Sequence, residues 1–512
     1  LRRGHVWMLL SVRAPAAGVD ALRVPHLVRS AGRRVVAALW SVEVLVSVLA
    51  GFLYGLASLE RFARYQSGLD LAVFGQAVQA YSRFQIPYVL IKAQAPFNIL
   101  GDHFSPVIAL IAPLYRVFPH IQVLLIVQAV LLAWAVWLVG RLARRRLGAR
   151  WAGRVEVCFA VSWGIVALAA YDFHEVAFAV PFTILAITAA LDDRWAALAV
   201  WCALLCLTKE DCTFIIGGIA LLLLARRRIF PAIAVGVSSV AAFLLLIKLV
   251  IPYFSFSHKY TYFAAVAGGG PAGMLANVAG MMRQPTAWLL IVLLVVALGM
   301  GIRSPVALVL LPTLVSRLVS NNAVYWQVNF QYQATLLAIC AVAAIDAWAQ
   351  VMKRPRRGAG VLGIAHLAIQ TLVSVTVVQL AFGWGSLLGL TPVSGQARNL
   401  ERAVASVPPG VSIVSDAFAA PHLVDVDTVY IATPTWTDSV GVPLSANWVL
   451  LDEDSPADRN RVTPWVKAEE ATLQRHGFSC FVRYGTVVVL RRETRPGSVL
   501  EWSRPWVEQR AC

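Results

Sequence analysis

The chain turns on Glu60-Arg61-Phe62-Ala63-Arg64-Tyr65-Gln66-Ser67-Gly68-Leu69-Asp70-Leu71 and, later in the same loop, on Gly101-Asp102-His103-Phe104-Ser105-Pro106. Both stretches lie between the first long apolar run and the second, which starts near His120. The segments around them are half-apolar and too brief to cross a bilayer. Residues 60–119 therefore read as a loop at a membrane–water boundary that supplies the first half of a site. Residues 104–118 are the part whose path decides the rest. If they crossed, every later side would invert and the arginine clusters would alternate wrongly. They read instead as a surface or partly inserted helix, with Ser105 as N-cap and Pro106 as the first helical residue.

Composition agrees with a membrane setting. Of 512 residues, 59% are hydrophobic and only 14% charged, against roughly 25% charged in soluble domains. The mean hydropathy is +0.69. The formal charge of +17 sits in short arginine clusters between apolar runs, as orientation signals do, and not in a nucleic-acid-binding stripe; no nucleic acid is expected as a partner. Cys158, Cys202, Cys206, Cys212 and Cys340 fall in or beside apolar runs and read as small core hydrophobes. Only Cys480 and Cys512 lie in the polar tail, where a bridge between them is one option. No cleavable signal peptide is expected, because the first long apolar run follows a basic segment and is long enough to span.

Charge bias then orders the chain. Residues 1–34 carry seven arginines against Asp20 and read as a basic, cytoplasmic N-terminus. Spans follow at 35–59, 120–140, 155–170, 176–191, 195–208, 212–225, 229–251, 288–302, 306–319, 334–349 and 360–382. This gives about eleven crossings, several of them short for a hydrocarbon core of roughly 30 Å. Each basic cluster falls inside. Each acidic motif falls outside with the loop at 60–119. The loop at 252–285 contains Gly268-Gly269-Gly270-Pro271, which reads as a flexible turn. After residue 390 the composition shifts. A helix is expected at 398–406 and strands at 411–415, 428–432, 448–451, 479–483 and 486–490, with turns at Pro408-Pro409-Gly410 and 452–458. The expected architecture is a polytopic α-helical membrane protein with a transmembrane domain at 35–394 and a small extracytoplasmic α/β domain at 395–512. Its location is the plasma membrane.

The motifs each admit a plain structural reading. Ser67 with Asp70, and Thr208-Lys209-Glu210-Asp211, fit capping boxes, and Asp172-Phe173-His174-Glu175 does so more loosely. A cap needs one acid, however, and Asp172 with Glu175, and Glu210 with Asp211, supply two each. Ionisable groups at the edge of apolar spans are costly unless they face water, a partner or a substrate. His103 and His174 sit close to acids. They read either as histidines satisfied by a carboxylate or as parts of a phosphate or divalent-metal site, with Asp102, His103 and His174 as candidate ligands. A divalent metal is the only cofactor left open. Lys209 reads as a partner for phosphate or carboxylate. Tyr325, Gln331 and Tyr332 read either as an interfacial aromatic belt or as a sugar-contacting surface. No phosphate-binding P-loop and no nucleophile elbow are present.

Gly68-Leu69-Asp70 with Phe74-Gly75-Gln76, Leu100-Gly101-Asp102-His103-Phe104-Ser105-Pro106, Asp172-Phe173-His174-Glu175 and Lys209-Glu210-Asp211 together resemble a family of bacterial and archaeal membrane proteins of unknown function, DUF family twenty seventy-nine. That family is similar to the GT-C glycosyltransferases, including the protein-mannosyltransferase and lipid A aminoarabinose-transferase groups. The resemblance implies a polyprenyl-phosphate sugar as donor, a catalytic acid in the first outer loop, and a variable soluble domain. On it, Asp70 matches the catalytic acid. Many relatives show paired acids there, whereas Leu71 and Ala72 follow Asp70 in this chain.

The expected function is therefore transfer of a sugar from a polyprenyl phosphate to an envelope acceptor at the outer face. Asp70 would take the acceptor's proton. Lys209, together with an arginine, would stabilise the leaving phosphate. Asp102, His103, Asp172, His174, Glu175, Glu210, Asp211, Tyr325, Gln331 and Tyr332 would hold donor and acceptor. Membrane lipids are the other expected partners. The rivals are a transporter or lipid-binding protein that uses its acids for ion or lipid passage, and a catalytically silent envelope scaffold.

Overall fold

In the computed structural model the described residues are 41–92, 97–262, 270–353, 358–431, 446–453, 473 and 477–492. The basic segment at 1–34, the start of the first span, Gly268-Gly269, the cluster at 354–357, most of the turn at 452–458 and Cys512 lie outside them. The helices that matter to the site are α1 (Val42–Ala63), α2 (Leu69–Ser82), α3 (Gln122–Leu147), α4 (Ala149–Ala160), α5 (Trp163–Ala170), α6 (Val176–Leu191), α7 (Trp195–Cys206), α8 (Cys212–Ala225), α9 (Ile229–Leu245), α10 (Gly270–Met282), α11 (Pro285–Leu298), α12 (Leu310–Val319), α13 (Ala334–Met352) and α14 (Ala359–Ala381).

The chain is a multi-pass, mostly helical membrane protein. Among the described residues, six helices are long and apolar enough to cross a bilayer: Val42–Ala63, Gln122–Leu147, Ile229–Phe254, Pro285–Arg303, Gln331–Met352 and Gly360–Ala381. The pair α4 and α5, bent by 48°, could make a seventh. The apolar helices Val176–Leu191, Trp195–Cys206, Cys212–Ala225 and Pro305–Val319 are shorter. They fall on the remaining expected spans, but their length alone does not carry them across. At 1.5 Å per residue, α7 and α8 reach only about 18 and 21 Å, short of a core of roughly 30 Å.

The arginine-rich ends meet one another. Arg145 and Arg146 pair with Asp192 at the end of α6, Arg228 reaches Asp193 at 2.5 Å, and Arg226 donates to the Ala190 carbonyl at 2.7 Å. At the other end of α3, Gln128 donates to the Leu168 carbonyl at 2.9 Å and accepts from the His174 N–H at 3.0 Å. From Gln128 to Arg145 the helix runs about 26 Å. The acidic turns and the basic clusters therefore occupy opposite ends of one bundle.

Two local expectations give way. Residues 106–117 are helical, with Pro106 in the first turn as expected, but they begin as a 3-10 segment, Pro106–Ile111, before Ala112–Val117. The Ser105 hydroxyl makes no cap bond to it, and the Val107 N–H instead donates to the Leu207 carbonyl at 3.1 Å. Gly270-Pro271 opens α10 and is not part of a loose turn. Proline suits a first helical turn, and Ala, Met and Leu then favour its continuation.

Beyond α14 lie α15 (Gly395–Ser406) and the strands β1 (Ser412–Ser415), β2 (Thr428–Ile431), β3 (Trp448–Asp452), β4 (Phe478–Tyr484) and β5 (Val487–Arg492), with a short helix, α16 (Ala420–Leu423), between the first two. They form one five-stranded sheet in the order β2-β1-β3-β5-β4. The first three strands pair in parallel and the last two run antiparallel to their neighbours. Each expected strand meets one of these. The Ser394 hydroxyl caps α15 by accepting from the Ala397 N–H at 3.0 Å. Cys480, on β4, is disulfide-bonded.

The sheet packs onto the loop at 60–119. His422 is stacked between Phe62 and Tyr65, with centroids 4.1 and 3.8 Å away. Asp425 accepts from the Tyr115 hydroxyl at 2.8 Å and the Ile121 N–H at 2.9 Å. Gln76 donates to the Val429 carbonyl at 2.9 Å and accepts from the Leu90 and Ile91 N–H groups.

Candidate functional site

Three turns and a loop meet at the acidic end. The first turn enters α2. Asp70 is half-buried in the first turn of that helix, and Gly68, not Ser67, is the N-cap. No side-chain cap forms from within the segment. Instead both oxygens of Asp172 lie 2.9 Å from the Gly68 N–H. A Cβ at Gly68 would come within 3.3 Å of that carboxylate, so a glycine suits the close approach. Tyr171, next to Asp172, donates to Asp70 at 3.2 Å. Burial, and then the charge of Asp70, push the Asp172 carboxyl up to about 6. The capping-box readings fail at the other two motifs as well. Glu175 and Asp211 occupy the N-cap positions of α6 and α8 without a side-chain bond, and Thr208 donates backward to the Leu204 carbonyl.

The second centre is the buried trio of His174, Glu175 and Lys209. One Glu175 oxygen is 3.0 Å from Lys209 Nζ and the other 2.8 Å from His174 Nδ1. These are ion-pair distances, off the angle of an aligned hydrogen bond. Burial raises the Glu175 carboxyl, but His174 and Lys209 outweigh it and hold the group well below the usual carboxylate range. Burial lowers Lys209, and Glu175 and Asp211 more than reverse that, so the ammonium stays charged.

The third centre joins the loop at 101–105 to the turn before α8. His103 Nδ1 lies 2.6 Å from Glu210 Oε1, which also accepts from the Tyr260 hydroxyl at 2.9 Å. The Phe104 N–H donates to Glu210 Oε2 at 3.1 Å. His103 stacks on Tyr262 at 4.5 Å, and Tyr262 donates to Asp102 at 2.8 Å. Asp102 also pairs with Lys92. A Cβ at Gly101 would sit 2.6 Å from the Ser255 backbone, so the glycine lets the segment bearing Tyr260 and Tyr262 lie against this turn.

Electrostatics tie the centres together. Tyr332 lies in the field of Lys209, Asp70 and Glu175. Asp211 faces Lys209, Arg317 and Tyr325. Tyr325 and Tyr332 meet edge to face at 4.8 Å. Arg317 donates to Gln333 Oε1 at 2.9 Å and to the Tyr332 carbonyl at 2.6 Å. Gln331 is buried one residue earlier, and its Oε1 has no hydrogen-bond partner among the described residues. Asp102, His103 and His174 do not converge on a metal: among the described residues no three His, Cys, Asp or Glu side chains group as ligands. Both histidines instead turn Nδ1 to a carboxylate. An apolar cavity lined by Trp151, Cys158, Trp348 and His366 lies near the arginine-rich end, away from these groups.

Several contributors were not anticipated. Gln128 and Arg317 were detectable as single polar residues inside apolar helices. Tyr260, Tyr262 and Lys92 sit in irregular loop and carry no pattern in sequence.

The fold and this buried, charged cluster define a polytopic membrane protein with a polar site at one end of its helix bundle. The chain belongs to the family described as Predicted membrane protein (DUF2079), which matches residues 62–482. Among solved structures it is similar to the crystal structure of ArnT from Cupriavidus metallidurans bound to undecaprenyl phosphate, at 12% identity and a TM-score of 0.48 over 87% of this chain and 97% of that one. No curated protein matches the chain.

Proposed function

We propose that the chain is an integral-membrane glycosyltransferase that moves a sugar from a polyprenyl phosphate to an envelope acceptor. The observation that carries this reading is that an acid, Asp70, and a buried charged amine, Lys209, both act on Tyr332. An acid and a cation acting on one residue match a displacement in which a hydroxyl loses its proton while a phosphate leaves. The helices flanking Lys209 are too short to cross alone. A buried, charged site beside apolar helices suits a donor whose lipid stays in the bilayer.

In this reading Asp70 is the base. Lys209 and Arg317 receive the phosphate charge. Asp172 fixes the start of α2, and so the place of Asp70. Glu175 keeps Lys209 charged. Asp211, Tyr325, Gln331 and Tyr332 contact the sugar or acceptor. The eleven crossings, a cytoplasmic N-terminus, an outer loop at 60–119 and an extracytoplasmic α/β domain at 395–512 belong to the same proposal. Cysteine labelling beside Asp70 and Asp211 from outside intact cells, with positions beside Arg145 protected, is the expected pattern; the reverse would invert the topology.

The deciding experiment supplies reconstituted protein with a panel of polyprenyl-phosphate sugars. Transfer by the wild type, lost in Asp70→Asn while undecaprenyl phosphate still binds, is the expected result. Binding without transfer from any donor would favour a lipid-binding or transport role.

A further inference from the structure

We propose, resting on the glycosyl-transfer reading, that His103 is a second acid–base residue of the site, giving a proton from Nε2 to the phosphate oxygen that leaves the sugar. Three features carry this. First, Nδ1 is taken by Glu210 at 2.6 Å, which fixes the ring and its tautomer. Glu210 is itself held by the Tyr260 hydroxyl and the Phe104 N–H. Second, Nε2 has no hydrogen-bond partner among the described residues, and a quarter of the side chain is open. Nε2 is not sealed among protein atoms, so it can meet water or a ligand. Third, His103 lies in the field of Lys209, the proposed partner of the leaving phosphate, and belongs to the centre built on Glu210, whereas Asp70 belongs to a different centre, with Tyr171 and Asp172. A displacement needs its base and its acid on opposite sides of the reacting carbon.

The groups facing His103 come from each neighbouring element. Glu210, Lys209 and Asp211 come from the turn before α8, and Glu175 from the turn before α6. Asp102 adjoins it, and Tyr260 and Tyr262 come from the segment after α9. Burial and Lys209 lower its pKa, and Glu210 with Asp102 more than offset them, so it stays protonated further into the neutral range than an ordinary histidine.

The step balances. The acceptor oxygen bonds to the anomeric carbon as its proton passes to Asp70. The bond from that carbon to the phosphate oxygen breaks, and its electron pair stays on the oxygen. That oxygen takes the Nε2 proton. Exchange with water then returns a proton to His103 and removes one from Asp70.

The test is the pH dependence of transfer. Wild-type turnover should fall on the alkaline side as His103 deprotonates. His103→Gln should lose roughly 10²–10⁴ in turnover and that alkaline limb, with undecaprenyl phosphate affinity within a few-fold of wild type. Glu210→Gln, which keeps the histidine, should move the limb to lower pH. An independent reading needs no turnover: diethyl pyrocarbonate should modify His103 in the full-length wild type, and undecaprenyl phosphate should protect it. A wild-type enzyme that transfers sugar while His103→Gln matches it, or a limb that stays put in Glu210→Gln, overturns the acid role alone. Unmodified or unprotected His103 does so too. A wild type that transfers from no donor overturns the transferase reading, and this role with it.

Discussion

At one end of the bundle Arg145, Arg146 and Arg228 meet Asp192 and Asp193 with between 24% and 49% of each side chain in water. At the other end Glu175 and Glu210 hold their cationic partners with 1% of each carboxylate exposed. Both ends pair carboxylates with basic side chains, and both lie at the ends of α6 and α8. The difference that sets their energetics is solvent. Exposed pairs gain little because water and salt screen them. Buried pairs carry a desolvation cost that mutual attraction repays only in part. Charges kept at that cost, where an apolar core would fold as well, are weak evidence for stability and are what the proposed site would need. Each prediction below presses on this contrast.

The largest effect is expected at Asp70. Asp70→Asn keeps the shape of the side chain but cannot take a proton. Transfer should fall by roughly 10²–10⁴ in turnover, with donor binding and thermal stability nearly unchanged. Turnover close to wild type would remove Asp70 from the chemistry and move attention to its buried neighbour Asp172.

Next comes the Glu175–Lys209 pair. Glu175→Gln leaves the ammonium buried without its counter-charge and should cost about 3–5 kcal/mol. Lys209→Met should cost a similar amount by stranding the carboxylate. The double variant should recover much of the loss and remain inactive. Thermal unfolding in detergent reads all three. If either single change costs less than the exposed pairs do, the contrast between the two ends collapses.

The His103–Glu210 pair should show its worth in a pH window. The folded His103 pKa is raised above its ordinary 6.5, so its contribution is full below 6.5 and fades as pH rises through the folded value. Burial raises Glu210, but His103 outweighs it and holds the carboxyl below its ordinary 4.5, so its contribution is present above 4.5 and fades as pH falls through the folded value. The stability gap between wild type and Glu210→Gln should therefore be widest from about 4.5 to 6.5 and narrow at alkaline pH. A gap that grows with pH would mean the histidine is neutral and the pair is an ordinary hydrogen bond.

Sequence disclosed this contrast unevenly. Asp70, Asp102, Asp172, Glu175, Lys209 and Glu210 stood out because ionisable groups at the edge of apolar runs are rare without a reason. The strands of the sheet were visible in their β-branched and aromatic runs. Their order was not, because β1 sits between β2 and β3, and no local pattern encodes which strands pair. The capping of Gly68 by Asp172 was equally hidden. Ser67 and Asp70 offered a local cap, and the group that took the N–H lies 104 residues away. The count of crossings stayed open because composition marks α7 and α8 as apolar, whereas length decides whether they span. Tyr260 and Tyr262 come from an irregular segment where neither periodicity nor a motif applies.

The smallest effect is expected at the arginine-rich end. Arg228 and Asp193 approach to 2.5 Å, yet 49% and 33% of the two side chains are in water. An exposed pair of this kind is worth about 0.2–1 kcal/mol, and Arg228→Gln should cost no more. Arg145→Gln should cost less still, because Arg146 remains on Asp192. Added salt should shrink both losses, since a Debye length of about 8 Å at physiological ionic strength screens surface charge. The same salt should leave the loss in Glu175→Gln almost untouched, because ions do not reach a pair so deeply buried. Salt thus separates the two ends even where the absolute losses overlap. An Arg228→Gln variant as damaged as Glu175→Gln, and equally indifferent to salt, would show that burial is not what distinguishes them.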